Sequence, residues 1–461
     1  MTASEKRATW SLASIYALRM LGLFLILPVL SLFAEQLEGS TPFLMGLAVS
    51  IYGLTQVLLQ IPFGILSDRY GRKHIIVIGM LLFLVGSVVA ATSTTIYGVL
   101  AGRAIQGSGA IAATVMALVA DLTQEVHRTK AMALIGASIG VSFGVAIIAG
   151  PIVAGFIGVS GLFWLIAGLS ILAILVVIFV VPNPDKSKVH RDAELVPSQL
   201  SNVIKDPELL RLDYGIFVLH LILTASFVVV PLLMRDAGLL PEKHWMVYLP
   251  VFVISMAAMI PFIIIAEKKR KMKSVFIGAI ATIVIADLGL MGLHDNLFGI
   301  VGFLFVFFTG FNLLEASLPS LISKTVPGDL KGTAMGIYSS AQFLGAGVGG
   351  AAGGWCYGQY GAPAVFLFCA ALALSWLLLS FSMKPPRYWA NLLISLTNLN
   401  EQQADQFATE LLKITGIEEV TLRYEDGVAY LKVDNKILNS EQLQNLINQH
   451  TQSNNRSSDA Q

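Results

Sequence analysis

Twelve apolar stretches run through this chain, at residues 10–33, 44–66, 74–93, 97–120, 131–155, 162–182, 212–234, 245–266, 273–293, 297–322, 333–355 and 363–383. About 20 apolar residues in a helix match the thickness of bilayer hydrocarbon, which offers no water to unpaired backbone groups, so each stretch is expected to cross a membrane as an α-helix. Only 13% of the 461 residues are charged, roughly half the 25% of a soluble domain. That composition excludes a soluble enzyme. The formal net charge of +1 gives no attraction for nucleic acid, and Cys356 and Cys369 lack the spacing of metal ligands, so neither a metal site nor a cofactor is expected. The first stretch is too long for a signal-peptide core and no small-residue cleavage site follows it, so it is expected to stay as the first span.

Lysine and arginine crowd every second connector: Arg69, Arg72 and Lys73; Arg128 and Lys130; Lys186, Lys188 and Arg191; Lys268, Lys269, Arg270, Lys271 and Lys273; Lys324 and Lys331. The intervening connectors carry almost none, Arg235 and Lys243 after span seven excepted. Positive loops stay inside, so both termini are expected in the cytoplasm.

An internal repeat is legible. Ile61-Pro-Phe-Gly-Ile-Leu-Ser-Asp-Arg-Tyr-Gly-Arg-Lys73 aligns with Ile260-Pro-Phe-Ile-Ile-Ile-Ala-Glu-Lys-Lys-Arg-Lys-Met272, placing Asp68 opposite Glu267 and Arg72 opposite Lys271. Lys130-Ala-Met-Ala-Leu-Ile matches Thr333-Ala-Met-Gly-Ile-Tyr at a similar offset of about 200 residues. Two parallel six-span repeats are the mark of a two-bundle transporter with its substrate site between the halves. The expected organisation is a bundle at 1–182, a cytoplasmic linker at 183–211 and a second bundle at 212–384.

Beyond Lys384-Pro-Pro-Arg387 the composition turns soluble. An alternating segment at 390–397, a helical one at 401–414, strands at 417–425 and 428–434 joined by Asp426-Gly427, and a helix at 440–449 give a β-α-β-β-α order. The expected fold is thus an all-α membrane protein of twelve helices carrying a small α+β, ferredoxin-like cytoplasmic domain at 388–450. The polar residues 451–461 are expected to be disordered.

At the basic end of span two stands Gly64-Ile-Leu-Ser-Asp68-Arg-Tyr-Gly71-Arg72-Lys73. Asp68 and Arg72 are four apart and can share a helix face; Gly64 allows close helix approach, and Gly71 supplies a turn conformation that other residues resist. Span four holds Arg103-Ala-Ile-Gln106-Gly107-Ser-Gly109. An arginine in hydrocarbon costs at least about 3 kcal/mol on insertion scales, so Arg103 must face a cavity or bond polar groups such as backbone carbonyls. Span five carries Ala146, Gly150-Pro151 and Gly155, small residues expected to pack smoothly and to kink the helix at Gly-Pro.

These motifs resemble the major facilitator superfamily over residues 10–384. The span-two loop is similar to that family's signature, in which a helix-end carboxylate and an arginine form a conformational latch favouring the outward-open state; the resemblance makes Asp121, at the end of span four, the partner of Arg72. The span-five pattern resembles the antiporter motif of the drug-exporting branch, although several of its glycines are alanines here. Further runs (Leu18-Arg-Met-Leu-Gly22 and Lys268-Lys-Arg-Lys-Met272 among them) resemble a bacterial inner-membrane member with a ferredoxin-like domain after span twelve, which implies the same membrane for this chain.

Arg19, His220, Asp287 and Glu315 are polar outliers within the spans. Counted from the cytoplasmic ends, Arg19, His220 and Glu315 sit roughly 10 to 14 Å deep. The resemblance places spans one, four, seven and ten around a central cavity, so these three, with Arg103 and Gln106, are the expected cavity residues. Asp287 is expected near the outer surface. A carboxylate at such depth is costly to ionise, so Glu315, helped by His220, is the candidate proton carrier, while Arg19 would hold a counter-charge or substrate. The expected function is proton-coupled export of an amphipathic small molecule by a monomer in the bilayer, driven by the proton gradient without a cofactor. A proton-coupled importer of a metabolite and a non-transporting membrane sensor are the alternatives.

Overall fold

The computed structural model describes residues 1–183, 199–326, 330–385, 390–395, 401–423, 428–434 and 436–447. Its helical region consists of α1 (Ala3–Leu25), α2 (Leu30–Glu35), α3 (Pro42–Tyr70), α4 (Arg72–Thr92), α5 (Ile96–Ser108), α6 (Ala112–Leu122), α7 (Glu125–Phe179), α8 (Leu200–Ile204), α9 (Pro207–Asp236), α10 (Trp245–Lys268), α11 (Met272–Leu293), α12 (Leu297–Thr325), α13 (Lys331–Tyr360) and α14 (Ala362–Phe381). Among the described residues, ten helical segments are long and apolar enough to cross a membrane, with α5 and α6 counting as one.

Local chemistry sets the boundaries. Thr41 accepts a hydrogen bond from the Leu44 N–H and is followed by Pro42, which starts α3. Asp206 caps the Glu208 and Leu209 N–H groups before Pro207, so α9 begins at 207 rather than at 212, inside the expected linker. Residues 184–198 of that linker lie outside the described residues. The first span starts at Ala3 and is interrupted between Leu25 and Leu30, around Pro28. α7 runs helically through Gly150 and Pro151; its non-helical dihedral is at Gly158 (φ 68°), beside the expected connector between spans five and six, where glycine adopts the left-handed backbone freely.

The repeat is visible in backbone detail. Gly71 ends α3 at φ 93°, and its aligned position, Arg270, has φ 54°, the one positive φ among the described non-glycine residues. Lys73 donates to the Val181 carbonyl at 2.9 Å, and Lys273, one position past the residue aligned with Lys73, donates to the Phe381 carbonyl at 2.9 Å, so each half closes its last helix with a lysine from the start of its third span.

Close packing between the halves is concentrated towards their lysine-poor end. A methyl group on Gly46 of α3 would overlap the Gly350 carbonyl of α13, one on Gly354 would overlap the Pro42 carbonyl, and one on Gly155 of α7 would come within 2.8 Å of Glu242. Towards the basic end, Gly64, Gly136 and Gly140 have nothing within 4 Å of such a group.

The small unit comprises β1 (Ala390–Ser395), α15 (Glu401–Leu411), β2 (Ile417–Arg423), β3 (Val428–Val433) and α16 (residues 440–447). Its antiparallel sheet has the order β1-β3-β2. Ile394, Phe407, Leu411, Ile417, Leu431 and Val433 form its own apolar core. The Asp426-Gly427 turn and residues 451–461 lie outside the described residues.

Candidate functional site

Three helices of the second half bring polar groups together. Glu315 comes from α12, His220 from α9 and Gln342 from α13. Gln342 Nε2 lies 2.8 Å from His220 Nε2 and donates to Glu315 Oε1 at 3.3 Å. His220 Nε2 stands 3.8 Å from Glu315 Oε2, and His220 Nδ1 is 3.3 Å from the Ile216 carbonyl. A neutral imidazole with its proton on Nδ1 satisfies this arrangement: it donates to Ile216 and accepts from Gln342. Glu315 Oε2 has no hydrogen-bond partner. Phe311, one turn before Glu315, packs against the imidazole with ring centroids 5.9 Å apart. Beyond it Phe307, Phe308, Phe252 and Phe143 continue an aromatic wall, to which Phe143 is contributed by α7 of the first half.

Arg19 is fully buried and bonds to groups of the first half. Its Nη2 donates to Gln56 Oε1 at 2.7 Å and to the Gly109 carbonyl at 2.9 Å, and its guanidinium lies 6.0 Å from the centres of both the Tyr52 and Phe83 rings. The single level expected for Arg19, His220 and Glu315 therefore divides: His220 and Glu315 meet each other, while Arg19 bonds within its own half. Depth along a helix says nothing about azimuth, and Arg19 turns to the Gly109 carbonyl where α5 gives way to α6, which also accepts from the Ile111 N–H at 2.9 Å. Arg103 donates to the carbonyls of Ala48 at 3.3 Å and Val49 at 3.5 Å, and to Gln106 Oε1 at 3.0 Å, with Tyr52 at 5.2 Å. Gln106 in turn donates to Ser87 at 2.8 Å. Of the two roles open to Arg103, backbone bonding is the one these contacts describe.

At the basic end, Arg72 Nε sits 2.6 Å from Asp121 Oδ2, with both side chains buried, and Arg72 Nη2 sits 3.5 Å from Asp68 Oδ1, whose side chain is 48% exposed. The ion pair ties the first residue of α4 to the last turn of α6 and the end of α3. It is closed here although the halves pack at the opposite end. The close approach expected at Gly64 is not made, because no neighbouring atom comes within 4 Å of the space a side chain there would fill. On α7, Ala146 is buried, Gly150 lies against the Leu25 carbonyl and Gly155 faces Glu242, while Pro151 continues the helix. Asp287, expected near the outer surface, is fully buried in α11, and neither oxygen has a hydrogen-bond partner.

Three contributors escape sequence reasoning: Gln342, Gln56 and Tyr52. All are uncharged, so none stands out against an apolar span; the Gln342 signal is only a lone amide in a helix of small residues.

The chain matches the Major Facilitator Superfamily family model over residues 12–350 and 273–399. It is 46% identical over 450 residues to the inner membrane transport protein YajR of Escherichia coli (strain K12), covering 97% of this chain and 99% of that protein. It is 30% identical over 190 residues to the class B tetracycline resistance protein of Escherichia coli, covering 40% of this chain and 46% of that protein. A solved bacterial homologue of the human lysosomal transporter Spinster, in an inward-facing and occupied conformation, shares its fold with a TM-score of 0.69 at 12% identity, covering 83% of this chain and 97% of that one. Apolar spans, paired halves and these likenesses agree: the chain belongs to the Major Facilitator Superfamily and is a multi-pass inner-membrane transporter, not an enzyme.

Proposed function

We propose that the chain is a proton-coupled exporter of amphipathic small molecules that works by alternating access, with Glu315 carrying the proton beside His220. The observation that carries this reading is the Gln342 amide held between the two, 2.8 Å from the imidazole and 3.3 Å from the carboxyl group. A charged side chain at the centre of a span costs at least about 3 kcal/mol on insertion scales. A carboxyl group kept there with only a titratable imidazole beside it suits a group that gains and loses charge. An ionised Glu315 can be neutralised by a proton or by a positively charged substrate, so the two compete, and competition at one carboxylate yields exchange. The aromatic wall from Phe143 to Phe311 suits the apolar part of such a substrate. The likeness to a tetracycline resistance protein supports export over import.

The surrounding frame is read consistently with this. Ten apolar segments, the division of α7 at Gly158 and the 30-residue α13 support a count of twelve spans. With the basic ends in the cytoplasm both termini are cytoplasmic, and the packing of the halves at the lysine-poor end corresponds to an inward-facing state. Asp68, Arg72 and Asp121 act as the latch that holds the cytoplasmic ends of α3, α4 and α6 together. The β1-β3-β2 order supports a ferredoxin-like tail, which we assign a regulatory role. The transporter works as a monomer and draws on the proton gradient alone.

The test is transport into proteoliposomes under an imposed pH gradient, with tetracycline among the screened compounds. Glu315→Gln keeps the shape and removes the titrating proton, so it should abolish uphill transport and spare substrate binding. Uphill transport by that variant with unchanged pH dependence would overturn the assignment. Accumulation in the direction of the proton flow would make the protein an importer, and movement of no compound under any gradient would make it a sensor.

A further inference from the structure

Beneath the Glu315 cluster, towards the basic end of the second half, lie two polar groups that the reading above leaves idle. α9 carries Asp213 seven residues before His220, two turns along one helix face and about 10 Å nearer the basic end. α13 carries Tyr338 four residues before Gln342, one turn nearer the same end. The two helices are held in register by glycine, because a methyl group on Gly345 would overlap the Phe217 carbonyl and one on Gly349 would overlap the Leu221 carbonyl. Asp213 and His220 therefore run alongside Tyr338 and Gln342 as two parallel ladders.

Tyr338 is 3% exposed and its hydroxyl has no hydrogen-bond partner. It lies within electrostatic reach of both the Glu315 and Asp213 carboxyl groups. Asp213 is 8% exposed, and among the described residues it has no ion pair. Its neighbours are otherwise engaged: Arg211 is paired with Glu208, and Tyr214 is hydrogen-bonded to Ser375 of α14 at 2.6 Å. Tyr338 on α13 is thus the titratable group within electrostatic reach of both Asp213 on α9 and Glu315 on α12.

We propose that Asp213 and Tyr338 relay protons between Glu315 and the cytoplasmic water. This rests on Glu315 being the carrier. In the release direction the Glu315 carboxyl proton passes through a bridging water to the Tyr338 hydroxyl oxygen as the tyrosine's own proton passes through another to the Asp213 carboxylate, since among the described residues the hydroxyl is hydrogen-bonded to neither carboxyl group. One O–H bond breaks and one forms at each step, and Tyr338 ends as the neutral phenol it began as. Asp213 then gives its proton to water. Uptake runs the same path backwards.

The experiment follows the carboxylic-acid C=O band by time-resolved infrared spectroscopy after a pH jump, on the full chain in lipid nanodiscs, with the Glu315 contribution assigned by its loss in Glu315→Gln. Asp213→Asn and Tyr338→Phe should each slow that band by at least about tenfold, the scale of a lost proton-transfer group, with its full amplitude kept. Asp213→Glu should restore the rate, as should formate added to Asp213→Asn as a diffusible proton carrier. A Glu315 band that relaxes at the parent rate in either variant, or loses amplitude instead of rate in both, overturns the relay. Should Asp213→Asn fail to fold, Tyr338→Phe decides by the same two criteria. If the parent chain has no titrating Glu315 band, the carrier assignment itself is overturned and the relay with it, an outcome distinct from a relay failure.

Discussion

Glu35 and Arg235 lie 200 positions apart, at the ends of the first and seventh spans, and form an ion pair across the two halves. The internal repeat has offsets of about 200, so the contact joins corresponding ends of the two halves, where side chains of one sign would set like charges face to face. Arg235 also donates to Asp236 at 3.0 Å. Its presence explains the one basic residue that ends a span on the lysine-poor side. The side chains are 35% and 39% exposed, so water screens the pair and its contribution is about 0.2–1 kcal/mol. Glu35→Gln or Arg235→Gln should raise the reactivity of a Ser50→Cys reporter, buried against Gly350, towards an impermeant maleimide by at most about fivefold. The exchanged pair Glu35→Arg with Arg235→Glu should return it to the parent level. No recovery in the exchanged pair would mean that the two charges do not act on each other.

The latch residues differ in burial, and their substitutions should differ accordingly. Asp121→Asn removes the buried partner 2.6 Å from a buried guanidinium, a loss of up to about 3–5 kcal/mol, reduced here because Asp68 remains. Asp68→Asn removes a half-exposed partner at 3.5 Å, worth less than about 1 kcal/mol. Thermal unfolding of the purified variants should therefore rank Asp121→Asn well below Asp68→Asn, and both should transport more slowly at matched protein levels. Equal melting temperatures would remove Asp121 from the latch.

Burial and azimuth separate what could be read in the sequence from what could not. The Asp68-Arg72 pair was legible because its spacing is local and its charges are out of place in a span; Asp121 followed from the family pattern. Glu315 and His220 were legible for the same reason, since ionisable side chains in hydrocarbon are rare. Their meeting with Gln342 was not, because an amide among small residues has no signature until three helices converge. Arg19 does not join them, because rise per residue fixes depth only, and its guanidinium bonds the Gly109 carbonyl just past the end of α5 at Ser108. Asp287 was placed by a family average that ignores which face of α11 it occupies. In the tail the element order was legible, because alternating apolar residues specify strands with a buried face.

The glycines of α3 make opposite predictions at its two ends. A methyl at Gly46 overlaps the Gly350 carbonyl, whereas Gly64 has open space around it. Gly46→Ala should open the lysine-poor end and raise labelling of Ser50→Cys; Gly64→Ala should leave that labelling unchanged. An unchanged Gly46→Ala would mean that the α3–α13 contact does not seal this end.

The tail unit has its own apolar core, including Phe407 and Leu431, so the spans need not depend on it to fold. A chain ending at residue 387 should insert and melt as the full chain does, with an altered transport rate. Failure to insert would make the tail structural, and an identical rate would leave it without the regulatory role.

Gln342 offers the sharpest separation of a coupled pair from a lone carboxylate. Its amide is the group that touches both His220 and Glu315. Gln342→Leu fills a similar volume and removes both contacts, so His220 Nε2 and Glu315 Oε1 each lose a hydrogen bond worth about 1 kcal/mol. Substrate held by the aromatic wall keeps its contacts, so exchange of a labelled for an unlabelled compound found in the transport screen, which needs no net proton movement, should proceed near the parent rate. Uphill transport requires the proton to be taken up and released in step with the substrate, and it should fall by roughly 10- to 100-fold, the factor that 1.4–2.8 kcal/mol in a barrier supplies. Equal losses in both assays would mean that Gln342 supports the cavity as a whole, and no loss in either would leave Glu315 working without His220.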